Sequence, residues 1–254
     1  MAEALEPVSP LVKRIADLNR HLKRDFLGGP RPFKMAWVIN AQKATTIVFV
    51  AGLMLACRNG STVAWVYLAL HGTYGLCWLL KHFAFPDRRW EAHVTMAGAV
   101  MTWVLVLGLY WVIAFLVVSD VLGPRPEPPP AMLAVAIGVH TLGVALMTAA
   151  DAQKYFTLRV HPGLIEDGLF RLVRHPNYLG EMMIYGAYAL LARHWIAWAI
   201  LAWVWTSVFF VNMKVIDASL SRHPGWAAYK ARTGMILPRL GAPARHAPQV
   251  LPAR

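Results

Sequence analysis

Six apolar runs, near Thr45–Cys57, Thr62–Leu80, Val94–Ser119, Met132–Ala150, Leu179–Leu191 and Ile196–Val211, restrict this chain to architectures that can stand in hydrocarbon. A bilayer core offers no water to backbone amides, so spans of about 20 apolar residues close their hydrogen bonds within themselves as helices. Composition agrees: 57% of residues are hydrophobic, 15% are charged, 11 are tryptophan, and mean hydropathy is +0.45. The expected fold is an all-α integral membrane protein with about six transmembrane helices. The short first and fifth runs tilt or extend through polar ends such as Asn40 and Gln42.

Charge placement orients that bundle. With the N-terminus inside, all 25 lysines and arginines except Arg58, Arg125 and Arg193 fall on cytoplasmic segments, which places both termini in the cytoplasm. The formal charge of +12 therefore reads as orientation, and no nucleic-acid partner is expected. Met1–Pro10 is acidic with no apolar core behind it, so no cleavable signal peptide is expected. Cys57 and Cys77 lie in apolar runs and read as small buried hydrophobes. Gly123–Pro130 reads as a stiff proline spacer.

The loop Asp151–Tyr178 is different in kind. It carries Asp151, Gln153, Lys154, Arg159, His161, Glu166, Asp167, Arg171, Arg174, His175, Asn177 and Tyr178. Arginine offers a planar fork to phosphate and lysine a point charge, so Lys154, Arg159, Arg171 and Arg174 form an anion-binding inventory at the membrane surface. Pro176 disfavours helix at His175 and suits a helix start. The i to i+4 spacing then puts Asn177 and Glu181 on one face of the next helix. Ionisable groups gathered beside hydrocarbon mark a functional site. No glycine-rich strand–helix turn is present for a Rossmann site, so a dinucleotide would enter between helices. The histidines lack zinc-type spacing, so no metal is expected. Tyr185 and Tyr188 read as packing residues, His71 as a histidine with an interhelical partner, Asp87-Arg88-Arg89-Trp90 as an interfacial loop, and the tail 241–254 as disordered.

Asp151-Ala152-Gln153-Lys154, Gly168-Leu169-Phe170, Arg174-His175-Pro176-Asn177-Tyr178-Leu179-Gly180-Glu181 and Trp226-Ala227-Ala228-Tyr229-Lys230 with Leu237-Pro238 together resemble the catalytic region of the membrane-bound steroid 5α-reductase and sterol reductase superfamily. That clan is shared with isoprenylcysteine carboxyl methyltransferases and phospholipid methyltransferases. The resemblance covers roughly Thr148–Leu240. It implies four stretches: an interfacial segment 1–40, substrate-side spans 41–150, a reductase-like region 151–240 and the tail. It further implies NADPH-dependent reduction of an activated C=C bond in a lipophilic, steroid-like or isoprenoid substrate. Arginines and Lys154 would hold phosphates, and Asp151, Asn177 and Glu181 would bond ribose or carboxamide. Catalytic roles would fall to His175, Tyr178 and Glu181, while Asp217, Tyr229 and Arg232 would fold back over the cofactor. An S-adenosylmethionine-dependent methyltransferase is the alternative, but the acidic residue after Asn-Tyr-X-Gly and the absence of a Glu-Glu pair near Asp217 lean toward reduction. A third reading is a scaffold without turnover. The alanine- and arginine-rich composition points to a bacterial inner membrane.

Overall fold

The computed structural model describes residues 6–119, 121–123 and 126–239, so the expected tail and Arg125 lie outside the described residues. Helices α1 (Pro10–Arg20), α2 (Met35–Ala56), α3 (Thr62–Ala84), α4 (Met96–Val118), α5 (Pro130–Val160), α6 (Pro176–Ala192), α7 (Trp195–Leu220) and α8 (Trp226–Arg232) follow in chain order. A two-residue antiparallel ribbon pairs β1 (Phe33–Lys34) with β2 (His93–Val94) beside the starts of α2 and α4. The protein is all-α. Among the described residues five helices, α2, α3, α4, α5 and α7, are long and apolar enough to cross a membrane. The fifth run forms the 17-residue α6, which starts at Pro176 as the proline predicts.

Three boundaries differ from the hydropathy reading, all for one reason. Helix α2 begins at Met35, ten residues before the apolar run, because Gln42 and Lys43 turn into the bundle and are buried there. Helix α5 continues past Ala150 to Val160, so Asp151, Gln153, Lys154 and Arg159 stand on helix and not on loop. Helix α7 runs on to Leu220 and carries Asp217. Polar residues that face inward satisfy a helix as well as apolar ones facing lipid, and hydropathy does not see them. Cys57 is likewise exposed, because it caps the end of α2, and Cys77 is only half-buried.

The tightest packing joins α5 to α6. Gly143 and Gly180 face each other there: a Cβ on Gly143 would stand 2.7 Å from the Gly180 carbonyl oxygen, and one on Gly180 2.6 Å from that of Gly143. Small residues let backbones approach where lipid gives no hydrophobic drive. That contact sets the position of Glu181, the next residue along α6.

Helices α4 and α7 each carry one π-helical turn, Trp103–Leu107 and Trp205–Phe210. Hydroxyls back-bond to carbonyls four residues earlier at both places: Thr102 to Gly98 at 2.9 Å, Thr206 to Ala202 at 2.7 Å and Ser207 to Trp203 at 2.6 Å. Such bonds loosen the regular ladder and accompany bends.

A candidate active site at one end of the bundle

The chamber is built from facing helix turns. Helix α2 contributes Ile39 and Lys43, α3 Tyr74, Trp78 and Lys81, α4 Val106, Leu107 and Tyr110, and α6 Asn177, Tyr178, Glu181 and Tyr185. Apart from the adjacent pairs Val106–Leu107 and Asn177–Tyr178, each set recurs at three- and four-residue intervals, so each is one inward stripe. Asp151 of α5, Asn212 of α7, Lys23 and the loop residues Asp87, Arg89 and Trp90 close it. The enclosed space is about 100 Å³. Lys81, Asp87 and Asp151 stand between it and a wider basin of about 640 Å³ lined also by Arg88, Lys154, Tyr155 and Arg159. The two cavities share those three neck residues.

Lys43 is the most constrained charge in the chamber. Its ammonium donates to the Tyr185 hydroxyl at 2.8 Å and lies 4.4 Å from the centre of the Tyr74 ring. Tyr110 stacks on Tyr185 with centroids 3.8 Å apart, and the Tyr74 hydroxyl is 3.5 Å from that of Tyr185. Aromatic faces attract a cation through their quadrupole, which offsets part of its desolvation. At the neck Lys81 pairs with Asp151, and its ammonium lies 4.3 Å from the Trp78 ring centre. Asp87 accepts from Arg89 Nη2 at 2.7 Å and from Lys154 at 3.2 Å. Burial alone would raise the Asp87 carboxyl, but Arg89 and Lys154 hold it well below the usual carboxylate range. Lys23, half-buried against the chamber, is lowered to about 8 by burial.

A second polar cluster sits outside both cavities. Arg174 is buried against Asp217, with Nε 3.3 and 3.2 Å from the two carboxylate oxygens, and donates from Nη1 to the Thr233 carbonyl at 2.6 Å. His175 Nε2 is 2.9 Å from Asp217 Oδ1. Burial pushes His175 below its ordinary value against the opposing pull of that carboxylate. Main-chain bonds from Arg174 to Gly234 and from His175 to Met235, at 2.9 and 3.0 Å, bind the segment after α8 to the start of α6. Tyr229 donates to the Phe170 carbonyl at 2.8 Å, and Arg232 pairs with Glu166. The C-terminal segment folds back onto residues 166–175, and its side chains line neither cavity.

The residues singled out from sequence therefore divide. Asp151, Asn177, Tyr178 and Glu181 meet in the chamber, and Lys154 and Arg159 line the basin. Arg174, His175, Asp217, Tyr229 and Arg232 are engaged with one another and their neighbours, while Arg171 is exposed on a short 3₁₀ turn. Two readings change. Tyr185 lines the chamber instead of merely packing, and Asp87, Arg89 and Trp90 form its wall instead of a free interfacial loop. Tyr188 does pack, fully buried, with its ring 4.5 Å from that of His71. Lys43, Lys23, Tyr110 and Asn212 were not singled out. A lysine four residues after Ile39 within one helix was the available signal, but it read as an orienting charge.

A family model described as a protein of unknown function, DUF1295, matches residues 31–233, a stretch holding the basin, the chamber lining other than Lys23, and the side chains of the Asp217 cluster. Uncharacterized protein C7D4.09c of Schizosaccharomyces pombe is 31% identical over 93 residues, 35% of this chain and 31% of its own length. Uncharacterized protein C594.04c of the same yeast is 31% identical over 99 residues, 37% of this chain and 29% of its own length. The chain thus spans about three tenths of the curated relatives it matches. No solved structure matches.

Proposed function

The chain belongs to the DUF1295 family, and we propose that it is a membrane-embedded NADPH-dependent reductase of an activated C=C bond in a lipophilic substrate. Its resemblance to the steroid 5α-reductase and sterol reductase superfamily supports this reading. The observation that carries it is the adjoining pair of cavities, a basic basin at the bundle end beside an aromatic chamber with ionisable walls. The proposal includes six spans with both termini cytoplasmic, in a bacterial inner membrane.

The donor set fits such a cofactor. Lys81, Arg88, Lys154 and Arg159 offer the basin four cations against the carboxylates of Asp87 and Asp151, a balance suited to phosphate oxygens. Asp151 and Asn177 stand beyond the neck, where hydroxyl or carboxamide groups would find partners. A bound nicotinamide would supply the hydride. The chain's own part is acid–base and electrostatic. Tyr185 accepts from Lys43, so its O–H can donate to Tyr74 or to a ligand oxygen, and the adjacent ammonium stabilises negative charge developing there. Glu181 lines the same wall. The aromatic lining excludes water, which strengthens each of these interactions.

Titration of the purified protein with NADPH and with S-adenosylmethionine tests the assignment. Saturable NADPH binding that weakens in Lys154→Ala and Arg159→Ala is the expected result. S-adenosylmethionine binding with none for NADPH would make the protein a methyltransferase, and binding of neither would make it a scaffold.

A further inference from the structure

The chamber wall has a seam between α4 and α7. Both helices bring π-helical turns to the cavity there, exposing Val106 and Leu107 on one side and Val208 and Phe209 on the other. Farther from the site Gly108–Val118 packs directly on Trp195–Val204, and Trp203 Nε1 donates to the Leu105 carbonyl of the α4 π-turn at 3.2 Å, which closes the seam on that side. Nearer the site the two helices make little direct contact, and α1 with its following π-turn His21–Asp25 bridges them.

That bridge packs closely on the first turns of α4 and on the end of α7, and its side-chain hydrogen bonds are few. Asn19 Nδ2 donates to the Ser207 carbonyl at 2.6 Å on the α7 side. On the α4 side Thr95 donates from its amide to the Arg24 carbonyl at 3.1 Å and from its hydroxyl to that of Phe26 at 2.9 Å. The Lys23 carbonyl approaches Gly98 so closely that a Cβ there would stand 2.5 Å away, and the Lys23 side chain reaches the chamber. No residue of α1 or its π-turn is fully buried. Elements with few buried contacts are the first to open.

The outer face has its own chemistry. Leu11, Leu18 and Leu27 are 67%, 54% and 80% exposed, among the exposed basic side chains of Lys13, Arg14, Arg20, Arg24 and Arg31. Leu27 stands at φ +57, ahead of Gly28 and Gly29 at +65 and +87, in a turn that holds it outward at some backbone cost. Leucines flanked by basic residues suit an anionic lipid interface.

We infer that the α1 strap docks on an anionic bilayer surface and is the door of a side entrance through which a lipophilic ligand passes from the bilayer, between α4 and α7, into the chamber. The inference rests on the chamber being the ligand site and not on the identity of the cofactor. Thr102 lines the chamber beside the seam. The full chain carrying Cys57→Ser, Cys77→Ala and Thr102→Cys, in vesicles of phosphatidylcholine and phosphatidylglycerol, places one thiol there. N-phenylmaleimide reaches it from the bilayer, and a charged methanethiosulfonate reaches it only from water. Adding Asn19→Ala, which removes one hydrogen bond holding the strap, should speed labelling by the maleimide about fivefold and leave the charged reagent's rate unchanged. Omitting phosphatidylglycerol, or introducing Lys13→Glu with Arg14→Glu, should accelerate it similarly. Maleimide labelling indifferent to Asn19→Ala, in protein that keeps its helical circular dichroism, would overturn the side entrance, as would faster labelling by the charged reagent. Acceleration by Asn19→Ala with no response to lipid charge would overturn the docking. None of these readouts involves a nucleotide, so a failure to bind NADPH is a separate result.

Discussion

The chamber and the clamp around Asp217 use similar side chains to opposite ends. In the clamp, Arg174, His175 and Asp217 are buried together and their polar atoms point at one another and at the Thr233 main chain. In the chamber, Lys43, Lys81, Asp151 and Glu181 border a cavity that adjoins the basin. A charge that closes on its partners holds chain segments together. One that borders a cavity retains capacity for a ligand. Side-chain type does not separate the two uses, and the direction of the side chain does.

The sharpest way to break this contrast is Asp217→Ala. It leaves a buried guanidinium and imidazole without their shared carboxylate, which should cost about 3–5 kcal/mol of stability in detergent denaturation. An unchanged midpoint with lost nucleotide binding would move the clamp into the site. Next in size, Lys154→Ala combined with Arg159→Ala should weaken NADPH binding at least about tenfold while the thermal midpoint holds, since charge-assisted contacts to phosphate are lost from an open surface. A lowered midpoint with intact binding would make the basin structural. Tyr229→Phe removes only the bond to the Phe170 carbonyl and should cost about 1 kcal/mol, with no effect on binding.

The smallest expected effect is a pH response. Lys23 titrates near 8 in the fold against an ordinary 10.5. Between those values the unfolded chain binds more protons than the folded one, so stability rises with pH across that window. The parent should gain stability from pH 8 toward 10.5 relative to Lys23→Met, and parallel curves for the two would show that Lys23 is solvated like any surface lysine.

Much of the fold was legible because apolar runs report lipid-facing surface. What hydropathy missed were stretches whose polar residues face inward. Gln42 and Lys43 hid the first ten residues of α2, and Asp151 to Arg159 disguised the last turns of α5 as loop. Pro176 and the Asn177 to Glu181 spacing located one wall of the chamber, since a helix start and an i to i+4 pair are local properties. The opposite wall was not legible. Lys43 meets Tyr185 across 142 residues of sequence, and such pairings exist only once the helices are packed. The Arg-His pair before Pro176 was legible as important, but its role depended on Asp217, 42 residues on from His175.

The length of α5 sets where wet and dry chemistry divide. Its 31 residues reach about 46 Å, against about 30 Å of hydrocarbon. Counted from Pro130, the lipid is crossed at about Ala150, so the helix rises beyond the acyl chains like a mast with Asp151, Lys154 and Arg159 aloft. A polar molecule moored to that mast keeps its charged portion hydrated among the headgroups, and only its tip need lean past Asp151 toward a partner that never leaves the oil.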